Sequence, residues 1–321
     1  PSALWSDAVS DDRSFLLVVN PRAGAGRAAA RLADLQGALR EAGAIFETAL
    51  TRAPGEATAL VRAALRRGVS GIAAVGGDGT FNEVVNGFFD DEGRPIRPEA
   101  WFGPLPCGTG GDLRRTLGLP AETAAMATRL VWSQPRPIDV GWLEFRDAAG
   151  STARRAFVNI ASFGVSGLVD RLVNEGPKWI GGRAAFLFAT VRALASYRPR
   201  RVRLRLDDAE AFERVVVTVA IANGRYFGAG MHIAPEARID DALFDVVSIE
   251  PTTRRDQLRA FPALYGRGIL DRPGVRLERA RRVLAEPADF EGPIWLDVDG
   301  ETPGSLPASF ELRPAALLLR A

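Results

Sequence analysis

The sequence contains one cysteine, one histidine and one lysine among its 321 residues. A single cysteine, Cys107, cannot form a disulfide within the chain, which fits a reducing compartment. The lone histidine, His232, would have to serve any Ser-His-Asp triad, and we expect it to be structural instead. Residues Pro1–Ser14 do not have the charged-then-apolar pattern of a signal peptide, and Arg183 and Arg192 interrupt the most apolar stretch, Trp179–Tyr197. We therefore expect a cytoplasmic protein whose membrane contact is peripheral.

The length and composition indicate a globular protein with about two domains. The hydrophobic fraction is 47%, the charged fraction is 25%, and the formal net charge is only +2. The first ~130 residues alternate between strand and helix patterns, which is typical of a parallel, doubly wound sheet. In chain order we predict the strand Phe15–Val19, the helix Arg27–Glu41, the strand Ile45–Leu50, a helix through Ala57–Leu65, the strand Ile72–Val75, the helix Phe81–Phe88 and the strand Trp101–Leu105.

The pattern changes beyond Pro135 and Pro137, which mark a predicted linker. Alternating residues in the second half are typical of a mostly antiparallel β domain. We predict the strands Val140–Phe145, Arg201–Leu206, Val215–Ile221, Phe244–Ile249 and Ser309–Leu319, and one helix over Ala184–Ser196.

Three glycine-rich turns each follow a predicted strand of the first half: Asn20–Gly26, Gly76–Thr80 and Gly108–Asp112. Ligands of open α/β sheets bind beyond the carboxyl ends of the strands. Glycines there let backbone N–H groups approach phosphate oxygens, and the following helix N-termini favour negative charge. Three such turns at one sheet edge predict a phosphate-bearing ligand.

The first turn leaves an alternative open. Gly24, Gly26 and Ala29 fit the fingerprint G-x-G-x-x-A, with Glu47 as a possible ribose ligand, which would indicate a hydride-transfer dehydrogenase. That fingerprint does not account for the other two turns.

Several residues of the other turns have a structural interpretation beside the functional one. Thr80–Glu83 and Thr109–Asp112 have the spacing of capping boxes, so they could simply begin helices. Asp78 lies between glycines at a strand end and has no obvious packing role, so we expect it to act on the ligand as well. Asn82 and Asn86 lie one helical turn apart and either brace loops or contact ligand.

Two acidic turns occur in the second half. Asp297–Glu301 surrounds an Asp-Gly pair, which by itself is typical of a hairpin. Asp240–Asp241 is either a solvated turn or part of a site for a hard metal ion.

A dense arginine cluster comprises Arg198, Arg200, Arg201, Arg203 and Arg205. Three of these arginines would share one face of a strand. The cluster is either a solvated edge strand protected by charge or a contact with an anionic membrane, worth about 1 kcal/mol per basic residue. Because no stacking aromatics interleave with these arginines, we expect no nucleic-acid partner.

Taken in order, these motifs resemble the diacylglycerol kinase catalytic-domain family, which includes bacterial lipid kinases and sphingosine kinases. NAD kinases and phosphofructokinases share the Gly-Gly-Asp-Gly-Thr element, so a kinase of a soluble substrate such as NAD stays an alternative. The resemblance covers nearly the whole chain through Asn20–Gly26, Gly76–Gly87, Pro106–Asp112, Asn159–Gly164, Tyr226–Met231, Ala234–Pro235 and Asp299–Glu301.

The resemblance implies the fold and the reaction. An α/β nucleotide-binding domain would span residues 1–134, and residues 308–321 would return to it. A C-terminal antiparallel β-sandwich over residues 135–307 would bind the lipid, and Mg-ATP would lie in the cleft between the domains. The acyl chains would cross the apolar surface of the second domain near Trp179, Phe186 and Phe188, but we favour a core position for these aromatic residues. The γ-phosphate of ATP would pass to a hydroxyl of diacylglycerol or a similar lipid at a membrane surface.

The resemblance also implies roles for residues. Asp299 looks like the general base with Glu301 beside it, whereas in the sphingosine kinases the aspartate matching Asp78 has that role. We favour Asp299 as the base, because a carboxylate close to magnesium is a poor proton acceptor. The residues that look like the nucleotide site are Asn20, Pro21, Gly24, Gly26, Gly76, Gly77, Asp78, Gly79, Thr80, Glu83, Gly108 and Thr109.

A structural magnesium site is implied by the match at Arg238, Asp241 and Leu243, where Arg238 and Leu243 would contribute backbone carbonyls. Two positions depart from the pattern of the family. Gly111 replaces the usual asparagine of the nucleotide loop, and Ala242 replaces the usual glycine of the metal turn. A non-catalytic lipid- or nucleotide-binding pseudokinase therefore stays a second alternative.

Overall fold

The computed structural model describes residues 13–107, 111–175, 188–190, 192–193, 196–253, 255–256, 262–266, 268–289 and 291–321. The chain divides into two compact units. The first unit comprises residues 1–138 and 315–321, and the second unit comprises residues 139–314. None of the helices in the described part of the chain combines the length and hydrophobicity needed to span a bilayer.

The chain begins with alternating strands and helices. These are β1 (Ser14–Val19), α1 (Arg27–Ala30), α2 (Leu32–Glu41), β2 (Ile45–Leu50), α3 (Glu56–Arg66), β3 (Gly71–Gly76), α4 (Asp78–Asn86), β4 (Trp101–Pro106), α5 (Asp112–Leu117) and α6 (Thr123–Trp132). Strands then dominate: β5 (Arg136–Arg146), β6 (Thr152–Phe157), β7 (Ile160–Gly164), α7 (Val165–Glu175), β8 (Arg200–Leu206), β9 (Phe212–Val216), β10 (Thr218–Ala222), β11 (Tyr226–Phe227), β12 (Met231–His232), β13 (Phe244–Ile249), β14 (Val275–Ala280), β15 (Arg282–Pro287), β16 (Leu296–Val298) and β17 (Ser305–Leu319).

The first unit is a parallel sheet with helices on both faces, as predicted. Its strand order is β2-β1-β3-β4, and the last residues of β17 pair in parallel with β4. The helices α2 and α6 pack on one face of the sheet around Phe15 and Trp101. On the other face, Phe81 of α4 meets Phe102 edge to face at 6.2 Å. The carboxyl ends of β1, β3 and β4 therefore lie side by side.

Two helix boundaries in the first unit differ from the predictions. The helix predicted over Arg27–Glu41 is broken at Arg31 into α1 and α2. The helix predicted from Phe81 begins at Asp78, with Gly77 as its N-cap. In the second case the glycine turn itself forms the first helical turn, which apolar periodicity cannot detect because these residues are not apolar.

The second unit contains two packed antiparallel sheets. The first sheet includes β5, β6, β8, β9, β15 and the first part of β17, and the second has the order β14-β13-β10-β7-β16. Side chains from both sheets form one buried core, in which Phe157 stacks on Phe244 at 5.6 Å and Phe163 stacks on Phe310 at 6.3 Å. This arrangement confirms the predicted antiparallel sandwich.

The strand predicted over Val215–Ile221 is wrong as a single element. It is two strands, β9 and β10, which belong to different sheets and are separated by Val217. No glycine or proline marks the switch, so the apolar run looks continuous in the sequence.

The predicted helix over Ala184–Ser196 begins outside the described residues, although 188–190, 192–193 and 196 are helical. Trp179 and Phe186, which we expected in a core or beside an acyl chain, also lie outside the described residues. Phe188 is 66% exposed, so the core interpretation is wrong for this aromatic residue.

The divisions between the units fall inside strands. The predicted linker at Pro135 and Pro137 leads directly into β5, which begins at Arg136, and the division lies at Ile138. Proline is tolerated at the beginning of a strand, so these prolines do not mark a flexible connection. At the other end, β17 continues from the second unit into the first at Ala315.

Arg200 is a buried anchor of the second unit rather than a surface charge. The residue is 8% exposed, and its guanidinium forms a two-point contact with the carboxylate of Asp289, which also accepts the Arg201 backbone N–H at 3.0 Å. The hydrogen bonds from Arg200, more than its charge, hold the pKa of Asp289 at about 2. The pair joins β8 to the segment that follows β15.

We expect Asp289→Asn to lower the melting temperature of the protein, with a loss on the order of 2 kcal/mol because a buried guanidinium loses its charged partner. A lowered carboxylate pKa stabilises the fold above the unfolded-state value of about 3.9. The stabilisation is lost as the pH falls towards the folded-state value of about 2. The difference in melting temperature between wild type and variant should therefore shrink between about pH 4 and pH 2.

The matched control is Asp208→Asn, because the Asp208 side chain is 96% exposed and lies 3.9 Å from Arg282. Its melting temperature should follow wild type across the same pH range. A difference for Asp289→Asn that stays constant down to pH ~2 would contradict the assigned role.

Candidate functional site

The first glycine loop is tied to the second by a side-chain contact. Asn20 follows β1, and its Nδ2 donates to Thr80 Oγ1 at 3.0 Å. Asn20 Oδ1 accepts the backbone N–H of Arg22 at 3.0 Å, which fixes the turn that contains Pro21. The structure therefore brings together Asn20 and Thr80, two predicted nucleotide-site residues.

The first loop also packs closely against the start of the third. Gly24 and Gly26 both have positive φ, at 63° and 86°, a region that glycine adopts without strain. A Cβ on Gly24 would collide with the carbonyl oxygen of Cys107. Glycine is required at this position because two backbones approach each other there.

Asp78 joins the second loop to the third. Its Oδ2 accepts the backbone N–H of Asp112 at 3.1 Å, and its Oδ1 accepts that of Leu113 at 3.1 Å. The expectation that Asp78 has no packing role is therefore wrong, since it caps the N-terminus of α5. Its two flanking glycines have different surroundings: Gly77 caps α4, and Gly79 is the second residue of that helix.

The proposed capping box at Thr80 is also wrong. Thr80 is the third residue of α4, and a Cβ on Gly76 would collide with its side chain. Glu83 Oε2 accepts the backbone N–H of Ala57 at 3.3 Å, so this carboxylate is directed at the first turn of α3. In the structure Glu83 braces a helix start rather than a glycine loop.

The third loop is only partly described. Gly108 and Thr109 lie outside the described residues, so their predicted roles stay predictions. Gly111 caps α5 with φ of 65°, a left-handed conformation that asparagine also tolerates. Glycine therefore preserves the backbone where the family usually has asparagine, and only the side-chain contact is lost.

Cys107 precedes this loop and is half-buried. Burial raises the pKa of its thiol, an effect that Arg31 and Arg27 oppose. A raised pKa keeps the thiol protonated, so the structure gives no support to a nucleophilic role.

Sequence reasoning missed a groove beside the first loop. It runs along the end of β2 and is lined by Pro21, Arg22, Thr51 and Arg52, among others. The backbone N–H of Thr51 donates to Val19 at 2.8 Å, which holds the groove against β1. The sequence signal for this groove was the pair Arg22 and Arg52, which follow the ends of β1 and β2, and these strands are neighbours in the sheet.

In the second unit, Asp299 and Gly300 form a tight hairpin turn with φ of 49° and 88°. The hairpin interpretation of this motif is therefore confirmed. Asp299 is buried, and its carboxylate accepts the backbone N–H groups of Ile160 at 3.0 Å and Val158 at 3.3 Å. Glu301 forms an ion pair with Arg155 of β6.

A group of buried polar side chains around Asp297, which precedes this hairpin turn, was not predicted from the sequence. Asp297 Oδ2 accepts the hydroxyl of Ser162 at 3.2 Å, and Ser162 Oγ lies 2.8 Å from Ser166 Oγ. Ser166 Oγ lies 3.2 Å from Thr218 Oγ1, whose hydroxyl donates to the Phe163 carbonyl at 3.0 Å. These four buried residues come from distant sequence positions, so no local pattern could have revealed them.

Ser166, Thr218 and Asp297 line a cavity of about 190 Å³ in the second unit. The rest of its wall is mainly apolar and includes Val165, Val169, Tyr197, Val217, Phe227, Met231, Ile233, Leu264 and Ile269. An apolar cavity with a few convergent polar groups is typical of a small-molecule site.

The predicted structural metal site is a turn. Ala242 has φ of 62°, which explains why glycine is usual there, and its N–H donates to Asp139 at 2.7 Å. Asp241 accepts the N–H of Leu243 at 3.2 Å, and Arg238 contacts Asp240 at 3.4 Å. Within the described residues, no three acidic, cysteine or histidine side chains come together to hold a metal ion.

One observation nevertheless fits a cation near this turn. Asp245 is buried, and its Oδ2 has no hydrogen-bond partner in the part of the chain that the structure describes. Burial raises the pKa of Asp245, Arg279 opposes the rise, and the charge of Asp241 adds to it. A cation beside Asp241 would relieve this excess of negative charge.

The contacts of the remaining candidates, His232, Asn82 and Asn86, indicate structural roles. His232 is buried, stacks on Tyr226 with ring centroids 4.3 Å apart, and its Nδ1 lies 3.1 Å from the Gly266 carbonyl. These contacts agree with the structural role that we expected. Asn86 donates to Asn82 Oδ1 at 3.1 Å, so this pair braces α4 internally.

The arginine cluster does not form one surface. β8 lies between β15 and β9, so the edge-strand interpretation is wrong, and Arg200 is buried on Asp289. Arg201, Arg203 and Arg205 point outwards as predicted, together with the exposed Arg198. Glu213 lies 3.2 Å from Arg203 and 4.0 Å from Arg201, which partly neutralises this face.

Comparison with known proteins agrees with the two-unit architecture. Residues 14–143 match the diacylglycerol kinase catalytic domain, and residues 159–321 match the YegS C-terminal NAD kinase beta sandwich-like domain. A crystal structure of a diacylglycerol kinase from Bacillus anthracis has a TM-score of 0.69 at 23% identity and covers 96% of each chain, which shows the fold.

Curated relatives extend the similarity over most of the sequence. A protein of Pseudomonas aeruginosa named "Probable lipid kinase YegS-like" is 33% identical over 282 residues, which is 87% of this chain and 86% of that protein. A protein of Bacillus subtilis named "Diacylglycerol kinase" is 29% identical over 92% of this chain and 91% of its own. The chain therefore belongs to the diacylglycerol kinase and YegS-like family of lipid kinases.

Proposed function

We propose that this protein is an ATP-dependent kinase that transfers the γ-phosphoryl group of Mg-ATP to a hydroxyl of diacylglycerol or a similar lipid. The observation that carries the proposal is the bracing of the glycine loops in the first unit, through Asn20 to Thr80 and through Asp78 to the start of α5. Phosphoryl transfer requires positioning and charge neutralisation more than covalent help, and rigid loops of backbone N–H groups supply both.

The first unit would bind the nucleotide. Its phosphates would lie against the glycine loops, and the nucleoside would follow the groove that contains Arg22, Thr51 and Arg52. Bound magnesium would neutralise phosphate oxygens, and Asp78 is the carboxylate that would hold it, directly or through water. We also propose a structural magnesium ion at Arg238, Asp241 and Leu243. The buried Asp245 Oδ2, which has no hydrogen-bond partner within the described residues, supports this proposal, although Asp245 Oδ1 is paired with Arg279.

The second unit would bind the acceptor. The acceptor hydroxyl oxygen forms a bond to the γ-phosphorus while the bond from that phosphorus to the β–γ bridging oxygen breaks. The hydroxyl proton passes to Asp299, whose orientation is fixed by the backbone N–H groups of Val158 and Ile160. The mainly apolar cavity of this unit supports a lipid acceptor over a soluble one such as NAD.

Transfer of label from γ-labelled ATP tests the proposal directly. We expect the purified protein, with magnesium, to label a lipid presented in detergent micelles and not to label NAD. Strong labelling of NAD without any labelled lipid would contradict the proposal. Binding of Mg-ATP without turnover on any lipid would favour a pseudokinase, and Gly111→Asn would then test whether the missing side chain is the cause.

The two motif aspartates should respond differently to substitution. We expect Asp299→Asn to lower turnover by about 100- to 10,000-fold, the usual cost of losing a general base. Its KM for Mg-ATP should stay near wild type. Asp78→Asn should raise the KM for Mg-ATP and lower the melting temperature, because it weakens two hydrogen bonds at α5.

Matched controls separate catalysis from the loss of a turn contact. Asp147 accepts the N–H groups of Ala149 and Ser151 in the second unit, and Asp90 accepts those of Glu92 and Arg94 in the first. Asp147→Asn and Asp90→Asn should retain turnover and KM. Near-wild-type turnover for Asp299→Asn would refute its assignment as the base.

We propose peripheral contact with an anionic membrane through Arg201, Arg203 and Arg205, which share one outward face of β8. Arg201→Ser with Arg205→Ser should weaken binding to anionic vesicles by about 30-fold at low salt, because each arginine contributes roughly 1 kcal/mol. The control is Arg66→Ser with Arg67→Ser, which removes the same charge at the exposed end of α3. Equal effects of both pairs would indicate a response to net charge alone.

A further inference from the structure

A group of polar side chains joined by hydrogen bonds lies at the wall of the cavity in the second unit. Asp297, Ser166 and Thr218 line the cavity, and Ser162 links Asp297 to Ser166 behind them. All four residues are buried, with exposures of 8% or less, so a polar atom left unpaired among them would be costly. The positions of the hydroxyl hydrogens in this group determine whether a ligand in the cavity must donate or accept hydrogen bonds.

The hydroxyl hydrogens of the group are used within the protein. The Thr218 hydroxyl donates to the Phe163 carbonyl, so the hydrogen of Ser166 is left to join Thr218 or Ser162. The Ser162 hydroxyl donates to Asp297 Oδ2 or to Ser166, and Asp297 Oδ1 accepts the backbone N–H of Gly300 at 3.0 Å, so both oxygens of Asp297 act as acceptors. The group therefore presents hydrogen-bond acceptors to the cavity.

An acceptor surface discriminates between parts of a lipid. A ligand hydroxyl donates to it, whereas an ester carbonyl placed there would remain unpaired beside a carboxylate, which is unfavourable in a buried site. The hydroxyl that is phosphorylated gives its proton to Asp299 in the proposed mechanism. A second hydroxyl on the same molecule would therefore be the donor that Asp297 and its neighbours recognise.

The wall of the same cavity includes a hydrogen-bond donor that has no acceptor within the described residues. The Tyr197 hydroxyl is buried and has no hydrogen-bond partner within the described residues. Burial raises the pKa of Tyr197 to about 12, so this hydroxyl stays protonated at neutral pH. An ester carbonyl is a suitable acceptor for it, whereas a sphingoid base carries no carbonyl.

The size of the cavity limits the apolar part of the ligand. Its volume is about 190 Å³. An engineered cavity of about 150 Å³ in another protein holds one benzene molecule, so this cavity accommodates a segment of one acyl chain and not two chains side by side.

We propose that Asp297, Ser166 and Thr218 select an acceptor with one acyl ester and a second free hydroxyl beside the one that is phosphorylated. A monoacylglycerol is the simplest such lipid. The inference rests on the proposed lipid kinase function and assigns the acceptor class to that activity. Asp297 acts here as a specificity-determining residue, distinct from Asp299 two residues later.

The test compares two acceptors that differ by one hydroxyl. These are monooleoylglycerol and the mono-oleate ester of propanediol that lacks the central hydroxyl, each in detergent micelles with γ-labelled ATP and magnesium. We expect kcat/KM to be about 10- to 100-fold higher for monooleoylglycerol, as for one hydrogen bond to a charged group. Dioleoylglycerol, which lacks a second donor, should resemble the propanediol ester.

Variants then test whether Asp297 and Ser166 cause the preference for monooleoylglycerol. Asp297→Asn and Ser166→Ala should reduce the preference to about three-fold or less, mainly through the KM for monooleoylglycerol, because the charged acceptor or its partner is lost. The KM for Mg-ATP should not change. Ser248→Ala is the matched control. Ser248 lies on β13, is buried and accepts a hydrogen bond from Arg214 of β9 at 3.1 Å, but it does not line the cavity.

The outcomes separate the inference from the proposed function. Equal use of the three lipids by the wild-type protein overturns the inference and leaves the lipid kinase function standing. A preference that persists in both Asp297→Asn and Ser166→Ala overturns the assignment to this group. Absence of label in every lipid overturns the proposed function and the inference with it. The comparison of acceptors uses wild-type protein, so it holds even if a variant fails to fold.

Discussion

The carboxylate of Asp78 accepts the first two backbone N–H groups of α5, and this contact fixes the relation between two glycine loops of the first unit. The contact from Asn20 to Thr80 and the close approach of Gly24 to Cys107 bring in the remaining loop. Each contact joins segments that are far apart in sequence. The geometry of the proposed phosphate site therefore depends on tertiary contacts made by the same residues that the motifs contain.

The second unit also contains a carboxylate that accepts two backbone N–H groups. Asp299 accepts two backbone N–H groups at the junction of β6 and β7, and the turn that carries it requires positive φ at both central residues. A carboxylate held by two backbone groups loses little conformational freedom on binding, which favours preorganised chemistry. It also means that substitution of either aspartate removes a structural contact together with any catalytic one.

Burial separates residues that look alike in the sequence. Arg200 and Arg201 are neighbours in one cluster, yet Arg200 is enclosed with Asp289 whereas Arg201 faces outwards. Asp297 and Asp299 lie in one motif, yet Asp297 joins a group of hydroxyls on a cavity wall and Asp299 holds a backbone junction. Strand alternation sends Arg200 and Arg201 to opposite faces of β8. Asp297 lies on β16 whereas Asp299 lies in the turn that follows it, so motif membership alone does not assign a role.

The sequence by itself determined β1, β3 and β4 of the first unit, because their apolar runs end at glycine-rich turns, and it located β2 and β13 at Ile45–Leu50 and Phe244–Ile249. It also determined the family, since spaced motifs survive where overall identity is low. Those features are local: each depends on residues within one or two turns of chain. The hairpin at Asp299 and Gly300 belongs to the same class, because its dihedral angles restrict its residues.

Only the tertiary structure decided the switch at Val217, the role of Asp78 as a cap for α5, and the polar group around Asp297. Val217 changes sheets without a turn residue, so its neighbours carry no signal of the change. Ser162, Thr218 and Asp297 meet only because β7, β10 and β16 lie in one sheet. Contacts between distant segments arise from packing, and a single sequence contains no periodicity that records which distant residues will meet.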